Sequence, residues 1–565
     1  MTCLEDLKNK IVNKLGSQKL IFSYPPSSDF GDLSLACFEI AQEKGKTPVE
    51  LAVTWADEIK EDAELSKFFV EVKPVGPYLN FFIEPTYLAT SVINEIKKEK
   101  NKYGENSFGK GKGIMIEYSN GNTHKEYHVG HLRNISYGDA ISRLLSANGF
   151  KSVPVSYIND FGIHVAKTIW NWKNNHSYAN LDEPKGFLLG KCYSEASQKL
   201  VDRPEYKLEV TKIMQEIESR QGDNYALWKE TRNWSIEYFA SIYKELGIKF
   251  ERIFYENEVI DEGLIMVQSM LDKEILVKSD GAVIANLEQY DLGVLPIIRS
   301  DGTALYPVAD LALAVNKFSL YDLEESIYVV DVRQSLHFKQ LFKVLQLLGY
   351  KQKLTHLPYD FVTLPEGMMS SRTGNVITYE DLKVKIRARI EEETRKKHED
   401  WNDEAIKRVV DVLSIAIIKF EMLKVGADKI ITFNIDEALK FDGYTACYLE
   451  YSYARLKSIL RKESGVSLLG KTDFSSLNEV KEKEVLMKIA KYPEIIILAN
   501  NKKNPSELTK YLFELAQLSN DYYHTVNILK ADKKIKKARL ALIRATSQVL
   551  NNGFDVLGIE ALEEM

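Results

Sequence analysis

Cysteine is scarce in this sequence, and long apolar runs are missing. The 565 residues include only four cysteines, none in a CxxC pair, so neither a zinc knuckle nor a disulfide framework is predicted. The apolar stretches are far shorter than the roughly 20 residues that span a bilayer. The amino-terminal stretch MTCLEDLKNK also lacks the apolar core of a signal peptide. We therefore expect a cytoplasmic protein with reduced thiols and no membrane partner.

An excess of positive charge is also lacking. The chain carries 75 Lys and Arg against 81 Asp and Glu, a formal net charge of -6. Proteins that coat nucleic acid non-specifically are usually basic, so this class is disfavoured, although a local basic face is still allowed. Tyrosine, in contrast, is abundant, with 30 copies against 6 Trp.

The length predicts three or four domains. Residues 1–107 mix helical and strand-like patterns and predict an α+β domain. Residues 108–385 contain a strand, a helix and a strand in IMIEY, HLRNISYGDAISRLLSANGF and SVPVSYIND. This order predicts a doubly wound, Rossmann-like parallel sheet, with a helical insertion at about 170–285. Residues 386–565 have helical periodicity and predict an all-α domain, so the fold class is multidomain α/β.

Three histidines cluster in THKEYHVGH, at His124, His128 and His131. Their spacing would place them on one face of a helix, where they could bind a metal. However, Gly130 and the residues before the cluster indicate a loop after a strand, and no fourth ligand lies nearby. The start of a helix at the end of a parallel strand attracts phosphate, and Gly130 lets a nucleobase lie against the backbone. We favour this nucleotide site and predict no protein-held metal.

At these residues the sequence resembles a known family. HVGH looks like the HIGH motif of class I aminoacyl-tRNA synthetases, and IEYSNGNTHKEYHVGHLRNISYGDAISRLL is similar to its arginyl-tRNA synthetase version. Downstream, LPEGMMSSRTGNVITYEDL resembles the KMSKS loop, with Met368 and Ser371 in place of its lysines. Lys125 occupies the position of a lysine that arginyl enzymes carry before HIGH. The resemblance implies these catalytic residues: Lys125, His128, Gly130, His131, Met369, Ser370, Ser371 and Arg372.

The same resemblance implies a pocket for arginine. A guanidinium is planar with five donors, so it requires carboxylates within bidentate reach and a flat surface for packing. The residues at matching positions are Glu117, Asn122, Glu256, Tyr306, Asp310 and Gln334. Asp310 and Glu256 are expected to bind the guanidinium, and Tyr306 to pack against the side chain of the substrate arginine. Asn122 and Gln334 are expected to hold its α-amino and α-carboxyl groups. Each carboxylate taken alone is more commonly a solvated surface acid, and it is their occurrence together at family positions that favours the pocket.

The helical tail is similar to the anticodon-binding domain of related synthetases. In GYTACYLEYSYARLKSILRK, tyrosines lie beside basic residues, a combination that stacks unpaired bases and holds the RNA backbone. The implied tRNA-binding residues are Tyr448, Tyr451, Arg455 and Met565. The alternative is that these tyrosines are core residues facing another helix. Residues 1–107 resemble the domain that contacts the tRNA body in arginyl enzymes.

The resemblance therefore implies an arginine–tRNA ligase that uses ATP and Mg²⁺. L-arginine would react with ATP to give arginyl-adenylate, and the arginyl group would pass to the 3′-terminal ribose of tRNA(Arg). A monomer is expected. Three alternatives stay open: a cysteinyl enzyme, which would also show zinc-ligand cysteines; a small HxGH nucleotidyltransferase, which would be shorter; and an inactive paralogue that only binds RNA.

Overall fold

The computed structural model describes residues 2–175, 182–363, 377–463 and 472–565. The amino-terminal part is an α+β unit with α1 (Cys3–Leu15), β1 (Phe22–Ser23), β2 (Leu33–Ala36), α2 (Phe38–Glu43), α3 (Pro48–Lys60), β3 (Phe69–Val75), β4 (Tyr78–Ile83) and α4 (Pro85–Glu99). Its strands form one antiparallel sheet in the order β1-β2-β4-β3. Local sequence sets the helix starts: Thr47 and Glu50 form a capping box, and Pro48 follows in the first turn of α3.

The next part of the chain contains two sheets. Its strands are β5 (Gly113–Glu117), β6 (Lys151–Ile158), β7 (Arg252–Tyr255), β8 (Val277–Ser279), β9 (Ala282–Asn286), β10 (Val294–Ile298), β11 (Glu325–Asp331), β12 (Lys353–Tyr359) and β13 (Val362–Thr363). Five strands form a parallel sheet in the order β12-β11-β5-β6-β7. Strand β5 is buried along its whole length, as expected where helices cover both faces of a sheet. Strands β8 to β10 form a separate antiparallel sheet.

Helices connect these strands. They are α5 (Val129–Ala147), α6 (Ile163–Asn174), α7 (Lys185–Asp202), α8 (Lys207–Glu218), α9 (Gly222–Glu245), α10 (Glu256–Asp272), α11 (Tyr306–Leu320) and α12 (Ser335–Leu347). Helices α6 to α9 lie between β6 and β7. The structure differs here from the insertion expected at about 170–285, because β7 pairs with β6 in the main sheet. A four-residue strand between two helices gives little periodic signal, which is why the sequence pattern missed it.

The carboxy-terminal part is helical. Its elements are α13 (Tyr379–Lys397), α14 (Asp403–Leu423), β14 (Ile431–Thr432), α15 (Ile435–Ala438), α16 (Ala446–Lys462), α17 (Val480–Ala490), α18 (Tyr492–Asn501), α19 (Ser506–Thr525) and α20 (Lys533–Leu557). The short strand β14 was not expected, and it pairs in parallel with β13. Residue 386, the expected start of the third domain, lies inside α13.

Buried polar contacts fix helix α5 to the helical part. Lys419 of α14, almost fully buried, lies with its ammonium 3.4 Å from Asp139 of α5 and donates to the carbonyl of Gly558 at 2.6 Å. Gly558 ends α20 with a positive φ of 68°, and a Cβ there would lie 2.5 Å from the Asp139 carboxylate. The end of α20 is therefore built directly against α5, whose amino terminus carries the histidine cluster.

The structure also bears on the cysteines and on the short apolar runs of the sequence. All four cysteine thiols are free and buried. Within the described residues, no helix combines the length and apolar character needed to cross a membrane.

Candidate active site

The start of α5 organises two of the three clustered histidines. His128 is the N-cap residue, and its Nδ1 accepts a hydrogen bond from the backbone N–H of Gly130 at 3.1 Å. The Nδ1 of His131 accepts from the backbone N–H of His128, also at 3.1 Å. Because a backbone N–H can only donate, each ring must carry its proton on Nε2 when neutral. The start of the helix therefore presents two Nε2–H donors whose tautomer is set by the backbone.

Both rings are neutral near pH 7. Burial, the neighbouring ring and the Lys125 ammonium lower the pKa of His131 well below its usual value. Burial first, and then Lys125, lowers the pKa of His128 to about 4. The histidines therefore supply hydrogen-bond donors and no positive charge. Lys125, whose ammonium lies 5.1 Å from the centre of the Tyr193 ring, is the cation of this segment.

His124 does not join the other two histidines. It has a positive φ of 62°, which confirms that this segment is a loop rather than a helix. Its ring nitrogens lie 2.9 Å from the Thr123 hydroxyl and 2.8 Å from the Thr231 hydroxyl. Burial lowers its pKa to about 3. The ring is thus committed to structural hydrogen bonds, and in the described part of the chain no group of three or more His, Cys, Asp or Glu side chains could hold a metal ion.

The second sequence motif is only partly described. Met369, Ser370, Ser371 and Arg372 lie outside the described residues. Immediately after them, Ile377 accepts a hydrogen bond from the backbone N–H of Val129 at 3.3 Å. The backbone N–H of Tyr379 donates to the carbonyl of Tyr127 at 2.7 Å. The chain that follows the motif is therefore hydrogen-bonded to the segment that starts α5.

A cleft of about 540 Å³ lies beside this segment. Six predicted residues line it: Glu117, Asn122, Lys125, Tyr306, Asp310 and Gln334. The cleft lies at the carboxyl ends of β5, β6 and β11, next to the point where the strand order reverses, which is where open parallel sheets bind ligands. Asn134 of α5 spans this point, accepting from Ser119 N–H and donating to the Val329 carbonyl.

Glu256 adjoins the cleft through Asn159, whose amide lines the cleft and donates to the Glu256 carboxylate at 3.1 Å. Glu256 is only 8% exposed. Burial raises its pKa to about 8, and the charges of Asp160 and Asp310 add to the increase. Asp310 itself is held by His337, whose Nε2 lies 2.9 Å from the carboxylate.

Glu117 has a different environment. Its carboxylate lies 2.5 Å from the ammonium of Lys317, and both side chains are almost fully buried. Asn120 also donates to Glu117 at 3.1 Å. The charge of Glu117 is therefore already matched by a lysine, whereas Asp310 contacts a histidine and Glu256 contacts an amide. Lys317 was missed by sequence reasoning because it is distant in sequence and looks like an ordinary helix lysine.

Residues that the sequence pattern did not indicate also hold this site in place. Asp160 is buried beside Glu256 and pairs with Arg232 at 2.5 Å. Asp160 also accepts from the backbone N–H of Asn257 at 3.0 Å, which fixes the start of α10. The one signal in the sequence was the IND tripeptide at the end of β6, because polar residues at the ends of parallel strands commonly contribute to the ligand site.

The tyrosines of α16 divide between core and surface. Tyr448 packs against Phe513 and its hydroxyl accepts from Asn520 at 3.0 Å. Tyr451 is 39% exposed, and its hydroxyl accepts from Arg455 at 3.0 Å. Tyr453 is buried in the core cluster, and Tyr444, just before α16, packs against that cluster. The surface pair available to a partner is therefore Tyr451 with Arg455.

The chain terminus lies along the same helix. The backbone N–H of Leu562 donates to Glu450 at 2.8 Å. Lys457 pairs with Glu563 at 2.7 Å and Arg461 with Glu564 at 3.2 Å. These contacts bring Met565, which packs against the core, to the α16 side of the molecule. Lys457 and Arg461, two basic residues of α16, are thus engaged by the terminal acids.

Three family models match the chain. They are described as the tRNA synthetase class I (R) catalytic domain, over residues 92–434, the DALR anticodon binding domain, over 449–565, and the arginyl tRNA synthetase N terminal domain, over 3–83. A similar curated protein is an arginine–tRNA ligase of Bdellovibrio bacteriovorus, 35% identical, with 96% of this chain and 93% of that protein covered. One from Clostridium botulinum, strain Langeland, is 34% identical, with 97% and 96% covered. Among solved structures, the Thermus thermophilus arginyl-tRNA synthetase superposes with a TM-score of 0.83 at 25% identity, covering 100% of this chain and 99% of that one.

Proposed function

The chain belongs to the arginyl-tRNA synthetases of class I and is an arginine–tRNA ligase. We propose which of its residues act in each of the two reaction steps. In the first step the carboxylate of arginine attacks the α-phosphate of ATP, which releases pyrophosphate and gives arginyl-adenylate. In the second step a ribose hydroxyl at the 3′ end of tRNA(Arg) takes the arginyl group and releases AMP. Both steps depend mainly on positioning and charge stabilisation.

The acidic side of the cleft takes the substrate side chain. Asp310 and Glu256 bind the guanidinium, because their charges are not matched by a lysine in the way that Glu117 is matched by Lys317. Tyr306, which is 57% exposed at the mouth of the cleft, packs against the arginine methylenes. Asn122 and Gln334 line the same cleft and hold the α-amino and α-carboxyl groups. Glu117 contributes to this end as a fixed acceptor.

The start of α5 takes the phosphates. The Nε2–H groups of His128 and His131 donate to phosphate oxygens without needing protonation, and Gly130 leaves room for the adenine or ribose against the backbone. Lys125 supplies positive charge at the reacting phosphate. The segment of Met369, Ser370, Ser371 and Arg372 adds a second cation, Arg372.

One observation carries this assignment. Lys125 lines the arginine cleft, and its charge lowers the pKa of both His128 and His131. The loop between β5 and α5 therefore runs from the amino-acid cleft to the helix start within a few residues. An arginine carboxylate and an α-phosphate bound at its two ends would meet beside Lys125.

The helical part and the amino-terminal unit take the tRNA. Tyr451 and Arg455 present a stacked ring and guanidinium to an unpaired base, with Tyr448 supporting them from the core side and Met565 close by on the same side. The proposed division is residues 1–107 for the tRNA body, 108–385 for catalysis and 386–565 for the anticodon.

Magnesium enters this proposal only as a companion of ATP. Glu117 and Asp160 are already paired with Lys317 and Arg232, Asp310 and Glu256 are assigned to the guanidinium, and the described residues offer no cluster of ligands for an ion. The donor set therefore does not fit a protein-held Mg²⁺, and no step is assigned to one.

We further propose that the protein is a monomer and that it works in a reducing compartment. The four free and buried thiols favour the reducing compartment. Sedimentation at working concentration tests the monomer.

Single substitutions of the two histidines test the phosphate assignment. His128→Asn and His131→Asn should each lower kcat for arginyl-adenylate formation by about 10²- to 10³-fold, the usual effect of removing one donor to a developing charge. The KM for arginine should stay near its wild-type value. His398→Asn is a matched control, because His398 stacks on Trp401 at 3.9 Å in the helical part. Wild-type adenylate formation in both active-site variants would contradict the assignment.

A further inference from the structure

Tyr157 carries a buried hydroxyl group that has no hydrogen-bond partner among the described residues. It lies near the end of β6, is 5% exposed and lines the arginine cleft. Buried hydroxyl groups are nearly always hydrogen-bonded, and one left alone costs free energy. An unpaired, buried hydroxyl on a residue that lines a substrate cleft therefore indicates a partner that arrives with the substrate.

The surroundings of this hydroxyl are acidic. Burial raises the pKa of Tyr157 well above its usual value, and the charges of Glu256, Asp310 and Glu117 add to the increase. The group therefore stays a neutral phenol at physiological pH, able to accept as well as donate. The position of the ring is fixed, since it packs in a cluster with Phe254 and Leu313.

The number of N–H donors on a guanidinium indicates a role for the Tyr157 hydroxyl. A guanidinium has five N–H donors, and two bidentate carboxylates take at most four of them. We propose that the Tyr157 hydroxyl oxygen accepts the remaining N–H of arginine, so that Asp310, Glu256 and Tyr157 together satisfy all five donors. This inference rests on the proposed arginine site and adds a specificity-determining residue to it.

The other unpaired hydroxyl of the cleft does not fit this role. Tyr328 also lines the cleft and also lacks a hydrogen-bond partner in the described protein. Its ring, however, lies 3.9 Å from the Lys317 ammonium. A guanidinium placed there would face a like charge, so Tyr157 is the favoured acceptor.

The substitution Tyr157→Phe tests the proposal with little risk to the fold, because it removes only an oxygen that has no hydrogen-bond partner among the residues that the structure describes. At saturating tRNA and ATP, the KM for arginine should rise about 10- to 100-fold, because one N–H donor of the charged guanidinium is left without an acceptor. The kcat and the KM for ATP should change by less than about twofold, since this contact is equally present in ground and transition states. The melting temperature should stay the same or rise.

Tyr118→Phe is the matched control. The Tyr118 hydroxyl is likewise buried and without a hydrogen-bond partner in the described part of the chain, but Tyr118 packs against Phe250 and lies outside the cleft lining. It should leave the KM for arginine unchanged, which separates a substrate contact from a general effect of removing a buried hydroxyl.

Asp310→Asn separates the two levels of the proposal. If Asp310→Asn raises the KM for arginine while Tyr157→Phe leaves it unchanged, the role of Tyr157 is refuted and the arginine pocket stands. If both variants bind arginine normally, the pocket itself is wrong. If Tyr157→Phe instead lowers the melting temperature and changes all kinetic constants together, Tyr157 is a structural residue and the inference fails.

Discussion

The protonation state of Glu256 gives arginine binding a defined pH dependence. The pKa of this carboxyl is raised to about 8 by burial and by the neighbouring Asp160 and Asp310 charges. Near neutral pH most molecules therefore hold Glu256 protonated, whereas pairing with a guanidinium requires the carboxylate. Binding of arginine must then release a proton, and affinity must increase as the pH rises through the raised pKa.

The size of the effect follows from the ionised fraction. If only the ionised form binds, the apparent KM is divided by that fraction, so it should fall roughly 25-fold between pH 6.5 and pH 8.5. Above about pH 9 the curve should level off. His128 and His131 do not contribute over this range, because their pKa values lie far below it, at about 4 for His128.

Steady-state aminoacylation at saturating ATP and tRNA measures this curve, with kcat followed in parallel. Glu256→Gln is the control, because its amide keeps the volume and cannot ionise. It should raise the KM at high pH and abolish the slope. A wild-type KM that is flat from pH 6.5 to 8.5, or a slope that persists in Glu256→Gln, would refute the role given to Glu256.

Three further predictions concern other ionisable side chains. Asp310→Asn should raise the KM for arginine by the equivalent of about 2–5 kcal/mol, since it leaves a desolvated cation poorly paired, and normal arginine kinetics would contradict this. Lys419→Met should lower the free energy of unfolding by about 1–3 kcal/mol in denaturant titrations, because it removes the buried donor to the Gly558 carbonyl while Asp139 keeps Arg143 as a partner. A loss below about 0.5 kcal/mol would show that this contact does not hold α5 in place. Burial raises the pKa of Glu450 from 4.5 to about 8, so the stability that its protonated form contributes is lost as the pH rises towards 8. The melting temperature of Glu450→Gln, measured relative to that of the wild type, should therefore increase from pH 5 to pH 8. A difference in melting temperature that stays constant over this range would count against a neutral Glu450.

Local patterns in the sequence revealed the outline of the site. The strand, loop and helix around His128 and His131 follow from turn residues and periodicity, and the structure has β5 and α5 where this pattern lies. The fold class, with an α+β unit, a parallel sheet and a helical tail, was also predictable, because each part has its own periodicity.

Long-range pairing was not predictable. The Glu117–Lys317 ion pair joins residues 200 positions apart, and nothing in the local sequence distinguishes Lys317 from a solvated lysine. The neutral state of the histidines depends on burial, which a spacing pattern does not encode. The same is true of Tyr157, whose significance lies in a missing partner rather than in a motif.

Aminoacylation of total tRNA with each of the standard amino acids in turn tests the central claim most directly. The account predicts ATP-dependent charging with arginine, loss of that charging in His131→Asn, and retention in His398→Asn. Charging with a different amino acid, or no charging with arginine by the intact protein, would contradict it.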